Sequence, residues 1–198
     1  MKAPFDFVIE PKGSRYNNTT KVGTSELILN TEVYNHQFVN RQAIVKSVPT
    51  AFETEIQPKD EVIVHHNVFR RWHDVKGKER NSRSFFNETT YFVKEDQVYL
   101  YKRDGEEWKT PKGYCFVQPI KDRVYLGIDK EEACIGIVKH TDGSYKKGDL
   151  VGFTPFSTYE FIIDGKRLYR VMTKFITIKY EYQGNEEAYN PSWAQSSR

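Results

Sequence analysis

Three histidines are the clustered metal-ligand candidates of this sequence: His65, His66 and His73. Imidazole nitrogens bind zinc, usually as part of a set of three or four ligands around one ion. His65 and His66 follow an apolar run typical of a strand, and adjacent residues on a strand point to opposite faces of the sheet. We therefore expect no ion to be shared between them, and the sequence predicts no metal site.

Motifs for nucleophilic or phosphate chemistry are missing from the sequence. It contains no nucleophile elbow, no Gly-rich phosphate loop and no zinc-type pair of cysteines. The two cysteines, Cys115 and Cys134, are too few for a disulfide framework, so reduced, buried thiols in a cytoplasmic protein are expected. The sequence predicts a protein that is not an enzyme and that uses no cofactor.

A basic stretch with an aromatic residue lies in the connection between residues 69 and 88. Its leading candidates for binding are Arg70, Arg71, Trp72 and Lys76. Cations interleaved with aromatic side chains are typical of loops that bind single-stranded nucleic acid. Asp74 and Glu79 dilute the charge, and the formal net charge of the chain is only +3. A solvated hairpin is the expectation, with nucleic-acid binding as the less favoured alternative.

The elements that would position these residues are strands. Short runs of β-branched and aromatic residues alternate with polar ones and are separated by Gly, Pro, Asn and Asp, whereas helix signals are nearly absent. The longest apolar runs, such as residues 161–163, fall far short of the roughly 20 residues that a membrane helix needs. Asp6 stands where an apolar signal region would begin, so export is not expected. The pattern predicts an all-β chain with no membrane span.

The same order of local signatures occurs twice along the chain, which indicates a duplicated barrel. The four matched pairs of segments are 7–11 with 116–120, 43–46 with 136–139, 59–62 with 148–151, and 91–100 with 169–178. A charged, Gly-containing segment near residues 103–107 is typical of a linker. We predict a first barrel over residues 1–104, a second over 105–182, and a C-terminal tail over 183–198. The tail is expected to fray, with docking on a neighbouring subunit as the alternative.

The repeated segments resemble the GroES co-chaperonin family. In that family a strand beginning with Gly-Asp precedes a hairpin, and an Asp-Gly turn leads into the closing strands. Gly148-Asp149 and Asp164-Gly165 match these positions in the second copy, and the first copy matches more loosely, with Lys59 where the family usually has Gly. The long excursions look like those of divergent, phage-encoded members of the family.

The resemblance implies two tandem small Greek-key, GroES-like β-barrels in each chain. It further implies a co-chaperonin that caps a GroEL-type chaperonin ring and assists protein folding, assembled as a homo-heptamer in a bacterial or infected-host cytoplasm. The basic stretch at residues 70–83 would take the place of the family's roof hairpin. Two alternatives stay open: a structural or assembly component of a virion with a GroES-like fold, and a single-strand nucleic-acid-binding barrel.

An aliphatic tripeptide, Leu27, Ile28 and Leu29, lies in an insertion that the first copy has and the second lacks. In the family, a long mobile loop between the first and second strand signatures carries such a tripeptide into a groove of the chaperonin. The resemblance therefore implies that these three residues bind the chaperonin. The alternative is an ordinary strand buried in the barrel, as short apolar runs usually are.

Overall fold

A computed structural model describes residues 1–16, 19–23, 25–28, 39–122, 130–181 and 186–195. The chain divides into two compact units, Met1–Trp108 and Lys109–Arg198. In both units strands are the main regular element of the described residues. The predicted all-β class is confirmed.

The strands of the first unit range from three to six residues in length. Those within its described residues are β1 (Phe7–Pro11), β2 (Thr19–Val22), β3 (Ser25–Ile28), β4 (Gln42–Ser47), β5 (Glu61–Val64), β6 (Arg71–His73), β7 (Glu79–Asn81), β8 (Phe85–Asn87), β9 (Thr90–Val93) and β10 (Val98–Lys102). Two short 3-10 turns, His66–Val68 and Glu95–Gln97, precede β6 and β10.

The second unit has fewer but longer strands. They are β11 (Tyr114–Lys121), β12 (Glu131–Thr141), β13 (Leu150–Phe153), β14 (Thr158–Ile163), β15 (Lys166–Met172) and β16 (Ile176–Tyr180). A 3-10 turn, Thr173–Phe175, precedes β16, and a one-turn helix, α1 (Ser192–Gln195), follows it in the chain.

The main sheets of the two units have the same topology. The first has the order β10-β5-β4-β1-β9-β8, and the second has β16-β13-β12-β11-β15-β14, with antiparallel pairing throughout. In each, the first strand lies between the second and the fifth, and the last strand returns beside the third. One strand plan is therefore used twice.

The predicted closure into barrels is not found in the hydrogen bonding of the described strands. Each sheet is open, with β8 and β10 as the edges of one and β14 and β16 as the edges of the other. Closure requires a ladder between the two edge strands with a matching stagger. The sequence pattern specifies which residues alternate within each strand, but it contains no signal for that final ladder.

The turn before the third strand of each sheet repeats bond for bond. In the first unit, Val45 N donates to Asp60 O at 2.9 Å and Lys59 N donates to Val45 O at 2.7 Å. In the second, Val138 N donates to Asp149 O at 2.9 Å and Gly148 N donates to Val138 O at 2.8 Å. These bonds align residues 59–62 with 148–151, as the sequence comparison predicts.

The ladder register moves one of the predicted correspondences by one residue. Ile9 pairs with Val45, just as Val117 pairs with Val138. Segment 7–11 therefore corresponds to 115–119 rather than 116–120, and the two prolines, Pro11 and Pro119, become equivalent. The Phe-Val dipeptide that both segments contain suggests the wrong alignment. The inward positions of β1 and β11 are apolar in both copies, but the residues at equivalent positions differ.

Each unit has its own apolar core, built from alternate residues of its strands. In the first unit the fully buried members include Phe7, Ile9, Val45 and Val62. In the second unit, Cys115, Val117, Val138, Val151 and Val171 form the equivalent cluster. Both cysteines are free thiols, and burial raises the pKa of Cys115 to about 12. Cys115 is thus a core residue at the position of Phe7.

Residues 186–195 pack against their own unit. Tyr189 N donates to Pro119 O at 2.7 Å, and Gln118 Nε2 donates to Tyr189 O at 3.3 Å. Asn190 Nδ2 donates to Gly165 O at 2.9 Å, and Tyr189 is itself buried. This part of the tail is therefore packed rather than frayed, because it satisfies backbone groups of β11 and of the turn after β14.

We expect Lys59→Gly to stabilise the first unit. Lys59 has a φ of 77°, and its counterpart Gly148 has a φ of 93°. A non-glycine residue pays about 1–2 kcal/mol in this region, and the added freedom of glycine in the unfolded chain offsets part of that. The net gain should be about 0.5–1 kcal/mol in urea unfolding. Gly148→Lys is the reciprocal control and should lose a similar amount; a neutral result for both would contradict the argument.

Candidate functional site

A buried asparagine holds the base of the first unit's insertion, which joins β1 to β4 over residues 12–41. Asn40 Nδ2 donates to Lys12 O at 3.0 Å and to Ser14 O at 2.9 Å, and its Oδ1 accepts from Gln42 N at 2.9 Å. The segment that leaves β1 and the segment that enters β4 are thereby joined beside the sheet. The equivalent connection of the second unit spans only residues 122–130.

The hairpin of β2 and β3 lies within this insertion and forms a two-stranded sheet of its own. Its tight turn includes Gly23, whose φ of 62° suits glycine. Leu27 is on β3, and its side chain is 55% exposed. Ile28 is the last residue of β3, and Leu29 lies outside the described residues. Leu27 is therefore a surface residue on a hairpin and not a member of the sheet's core.

The base of the insertion contacts the start of the basic stretch. Arg15 Nη2 donates to Phe69 O at 3.1 Å, and Arg71 N donates to the hydroxyl of Tyr16 at 2.8 Å. The Arg71 guanidinium also lies 5.0 Å above the Tyr16 ring, a cation–π distance. These contacts connect the two long excursions of the first unit at their bases.

The four predicted basic-stretch residues do not form one cluster. Arg71 faces Glu79, with Nη1 3.4 Å from Oε1. Lys76 is in the turn of the β6–β7 hairpin, where its backbone N donates to Asp74. Arg70, which precedes β6, and Trp72 instead line a groove together. Trp72 and Arg71 are on opposite faces of β6, because adjacent residues of a strand alternate between the two faces.

This groove, which we call the Arg70 groove, has a volume of about 550 Å³. Its walls include a second arginine and several uncharged polar side chains: Asn67, Ser82, Arg83, Ser84 and Gln97. Trp72 is 45% exposed there. The sequence pattern predicts Arg70 and Trp72 as binding residues but does not predict Asn67, Ser84 and Gln97. These three residues come from segments before and after the β6–β7 hairpin in the chain.

Asp74 holds the turn of the β6–β7 hairpin. Its Oδ1 accepts from the backbone N of Lys76 and Lys78 at 2.9 and 3.0 Å, and its Oδ2 is 2.9 Å from Arg80 Nη2. The backbone hydrogen bond from Lys78, followed by those from Lys76 and Arg80, lowers the pKa of Asp74 against a smaller opposing effect of desolvation. The carboxylate form is therefore the one that stabilises the turn.

Acid should loosen this hairpin as Asp74 becomes protonated. A carboxyl group with a lowered pKa contributes stability above its ordinary pKa of 3.8 and loses it as the pH falls through the folded value. Amide shifts of Lys76 and Lys78 should thus move below pH 3.8, and Asp74→Ala should show the moved shifts already at pH 7. Asp96→Ala is the surface control. Unchanged amide shifts in Asp74→Ala would contradict this role.

The sequence-based prediction that His65 and His66 point to opposite faces of a strand is wrong. β5 ends at Val64, so His65 and His66 are not on a strand, and their rings stack with centroids 4.3 Å apart. His65 Nδ1 accepts from Asn67 N at 3.0 Å, which caps the 3-10 turn. Within the described ranges, no group of three or more His, Cys, Asp or Glu side chains is placed to hold a metal ion.

The described part of the chain also contains no helix long and apolar enough to cross a membrane. Comparison with known proteins leaves the geometry as the main guide to function. No protein-family model matches this chain, and no curated protein matches it significantly.

Proposed function

We propose that this protein is a co-chaperonin that caps a GroEL-type chaperonin ring and assists folding inside the closed chamber. The observation that carries the proposal is the exposed Leu27 on a hairpin in the long connection between β1 and β4, a connection that spans only residues 122–130 in the second unit. The second support is the repeated strand order of the two open sheets, since a duplicated subunit requires such a repeat. In this function Leu27, Ile28 and Leu29 enter an apolar groove of the chaperonin.

The energetics of such a contact suit reversible capping. Burying one aliphatic side chain contributes about 1.5–3 kcal/mol, and ordering the binding segment offsets part of that. A single site is then weak. A homo-heptamer presents seven such hairpins, one for each chain, and the effective concentration within the ring turns weak sites into a strong cap. Weak individual sites also allow the cap to leave.

A structural or virion component is the second candidate, and exposed apolar residues on an edge strand favour it. Tyr159 and Ile162 are exposed on β14, the outer strand of the second sheet. Unpaired strand edges with apolar side chains are ready-made assembly surfaces. The same feature serves a ring-forming co-chaperonin, so oligomer formation alone does not separate the two candidates.

Binding to a chaperonin separates them. The full chain should co-elute with a GroEL-type ring in the presence of ADP and slow its ATPase in a saturable way. A stable oligomer that neither co-elutes nor changes the ATPase rate would overturn the co-chaperonin proposal and favour the structural candidate. The proposed place of action is a bacterial or infected-host cytoplasm, where such rings occur.

A further inference from the structure

The Arg70 groove combines cations, an aromatic face and hydrogen-bonding groups, and chaperonin binding uses none of them. Arg70 and Arg83 line it, and neither has a carboxylate within ion-pair distance in the described structure. This differs from Arg71 and Arg80 of the same stretch, which face Glu79 and Asp74. Among the arginines of residues 70–83, the two with no carboxylate partner in the described ranges are the two that line the groove.

Arg70 carries a donor that no described residue satisfies. Its Nε is buried and has no hydrogen-bond partner among the described residues; the Nε of Arg71 is in the same state, but of these two only Arg70 lines the groove. A buried donor without an acceptor is costly, and such groups are uncommon in folded proteins unless a ligand or an ordered water completes them. The lining adds no acidic side chain. An anion that accepts hydrogen bonds is therefore the complementary ligand.

Trp72 narrows the class of anion. Its indole is 45% exposed in a wall shared with the two arginines, although Trp is costly to leave in water. Indole faces stack on nucleobases, and arginine forks bind phosphate oxygens. The amides of Asn67 and Gln97 offer further polar contacts to a base or sugar. The volume of about 550 Å³ lies within the range of small-ligand sites.

We propose that the Arg70 groove binds a nucleotide unit, with its phosphate on Arg70 and Arg83 and its base stacked on Trp72. The unit is either a free nucleotide or one residue of a single-stranded nucleic acid, because both present the same phosphate and base. Arg71 and Lys76 have no part in this site. The proposal is independent of chaperonin capping, since Leu27 lies on a different hairpin.

The test is a titration of the intact protein with AMP, with an oligothymidylate of about ten residues, and with inorganic phosphate. Tryptophan emission is read against Trp72→Phe as the blank, because Trp108 and Trp193 also emit. We expect saturable quenching by AMP, by the oligothymidylate or by both. AMP alone identifies a free nucleotide as the source, and the oligothymidylate alone identifies a nucleic-acid strand.

Variants decide whether the Arg70 groove is responsible. Arg83→Ala and Arg70→Lys should each weaken binding about tenfold, since a hydrogen bond to a charged group is lost or misplaced. Trp72→Ala, followed by calorimetry, should weaken it by a similar factor. Lys76→Ala is the matched control in the same hairpin and should bind as the wild type does.

Several results would overturn the proposal. Absence of saturable quenching would do so, and so would equal loss in Lys76→Ala and Arg83→Ala, which would indicate diffuse charge attraction. Phosphate binding as tight as AMP binding would contradict the stacking on Trp72. Arg83 is exposed, so its replacement by alanine should leave the fold intact, and far-UV circular dichroism checks this. Leu27→Ser should retain nucleotide binding, which distinguishes a failure here from a failure of the capping function.

Discussion

Leu27→Ser is expected to reduce chaperonin affinity by at least a hundredfold while leaving the unfolding midpoint unchanged. Leu27 is 55% exposed on β3, so its replacement leaves no cavity in the core. In the proposed complex the side chain is buried, and losing it costs about 1.5–3 kcal/mol at each site. Because every subunit of a ring carries the same change, the losses multiply through the effective concentration of the assembly.

Phe86→Ser is the matched control for Leu27→Ser. Phe86 is also 55% exposed, but it lies on the edge strand β8 of the main sheet and outside the insertion. Affinity should remain near the wild-type value in this variant. Equal losses in the two variants would indicate nonspecific apolar adhesion, and unchanged affinity in Leu27→Ser would exclude Leu27 from the binding contact. Affinity is measured by surface plasmon resonance on an immobilised chaperonin ring with ADP.

Gly136→Ala is expected to destabilise the second unit by about 3 kcal/mol, near the upper end of the usual overpacking cost. Gly136 is in the middle of β12, opposite Pro119 of β11. A Cβ at this position would lie 2.7 Å from Gln118 O and 3.1 Å from its carbonyl carbon. Both are backbone atoms, so a rotamer change cannot relieve the contact and β11 must move away from β12.

The repeat supplies an internal control for Gly136. Ala43 holds the equivalent position in β4, opposite Pro11, and is fully buried. Ala43→Gly should cost only about 1–2 kcal/mol, from the lost methyl burial and the greater freedom of glycine. Urea unfolding followed by tryptophan emission and circular dichroism measures both. A cost for Gly136→Ala no larger than that for Ala43→Gly would show that β11 and β12 separate easily.

The duplication can be predicted from the sequence because the strands and turns that repeat are determined by short, local residue patterns. Apolar alternation marks the strands, and the Lys59-Asp60 and Gly148-Asp149 turns recur because each backbone closes the same hydrogen bonds. The left-handed conformation at these turns favours glycine, and the second copy has it. Lys59 shows that a residue other than glycine can adopt the left-handed conformation when the surrounding hydrogen bonds hold the turn in place.

The Arg70 groove and the sheet edges were not predictable in the same way. The groove brings together Asn67, Trp72, Ser84 and Gln97, which lie on separate segments of the chain, so their proximity depends on tertiary structure. Arg70 and Arg71 are adjacent in the sequence, yet Arg70 lines the groove and Arg71 faces Glu79. The prediction for His65 and His66 failed for a related reason: it treated them as strand residues, whereas β5 ends with its apolar run at Val64.

Tryptic cleavage after Lys21, with and without a GroEL-type chaperonin and ADP, tests the capping function most directly. Lys21 is on β2, in the hairpin that carries Leu27, and this two-stranded sheet has few bonds to oppose local opening. We expect cleavage at Lys21 in the free protein and protection in the mixture, with cleavage at the surface residue Lys112 unchanged as the internal reference. Cleavage at Lys21 that is equally fast in both conditions, in a mixture with the ring in excess, would contradict binding through this hairpin.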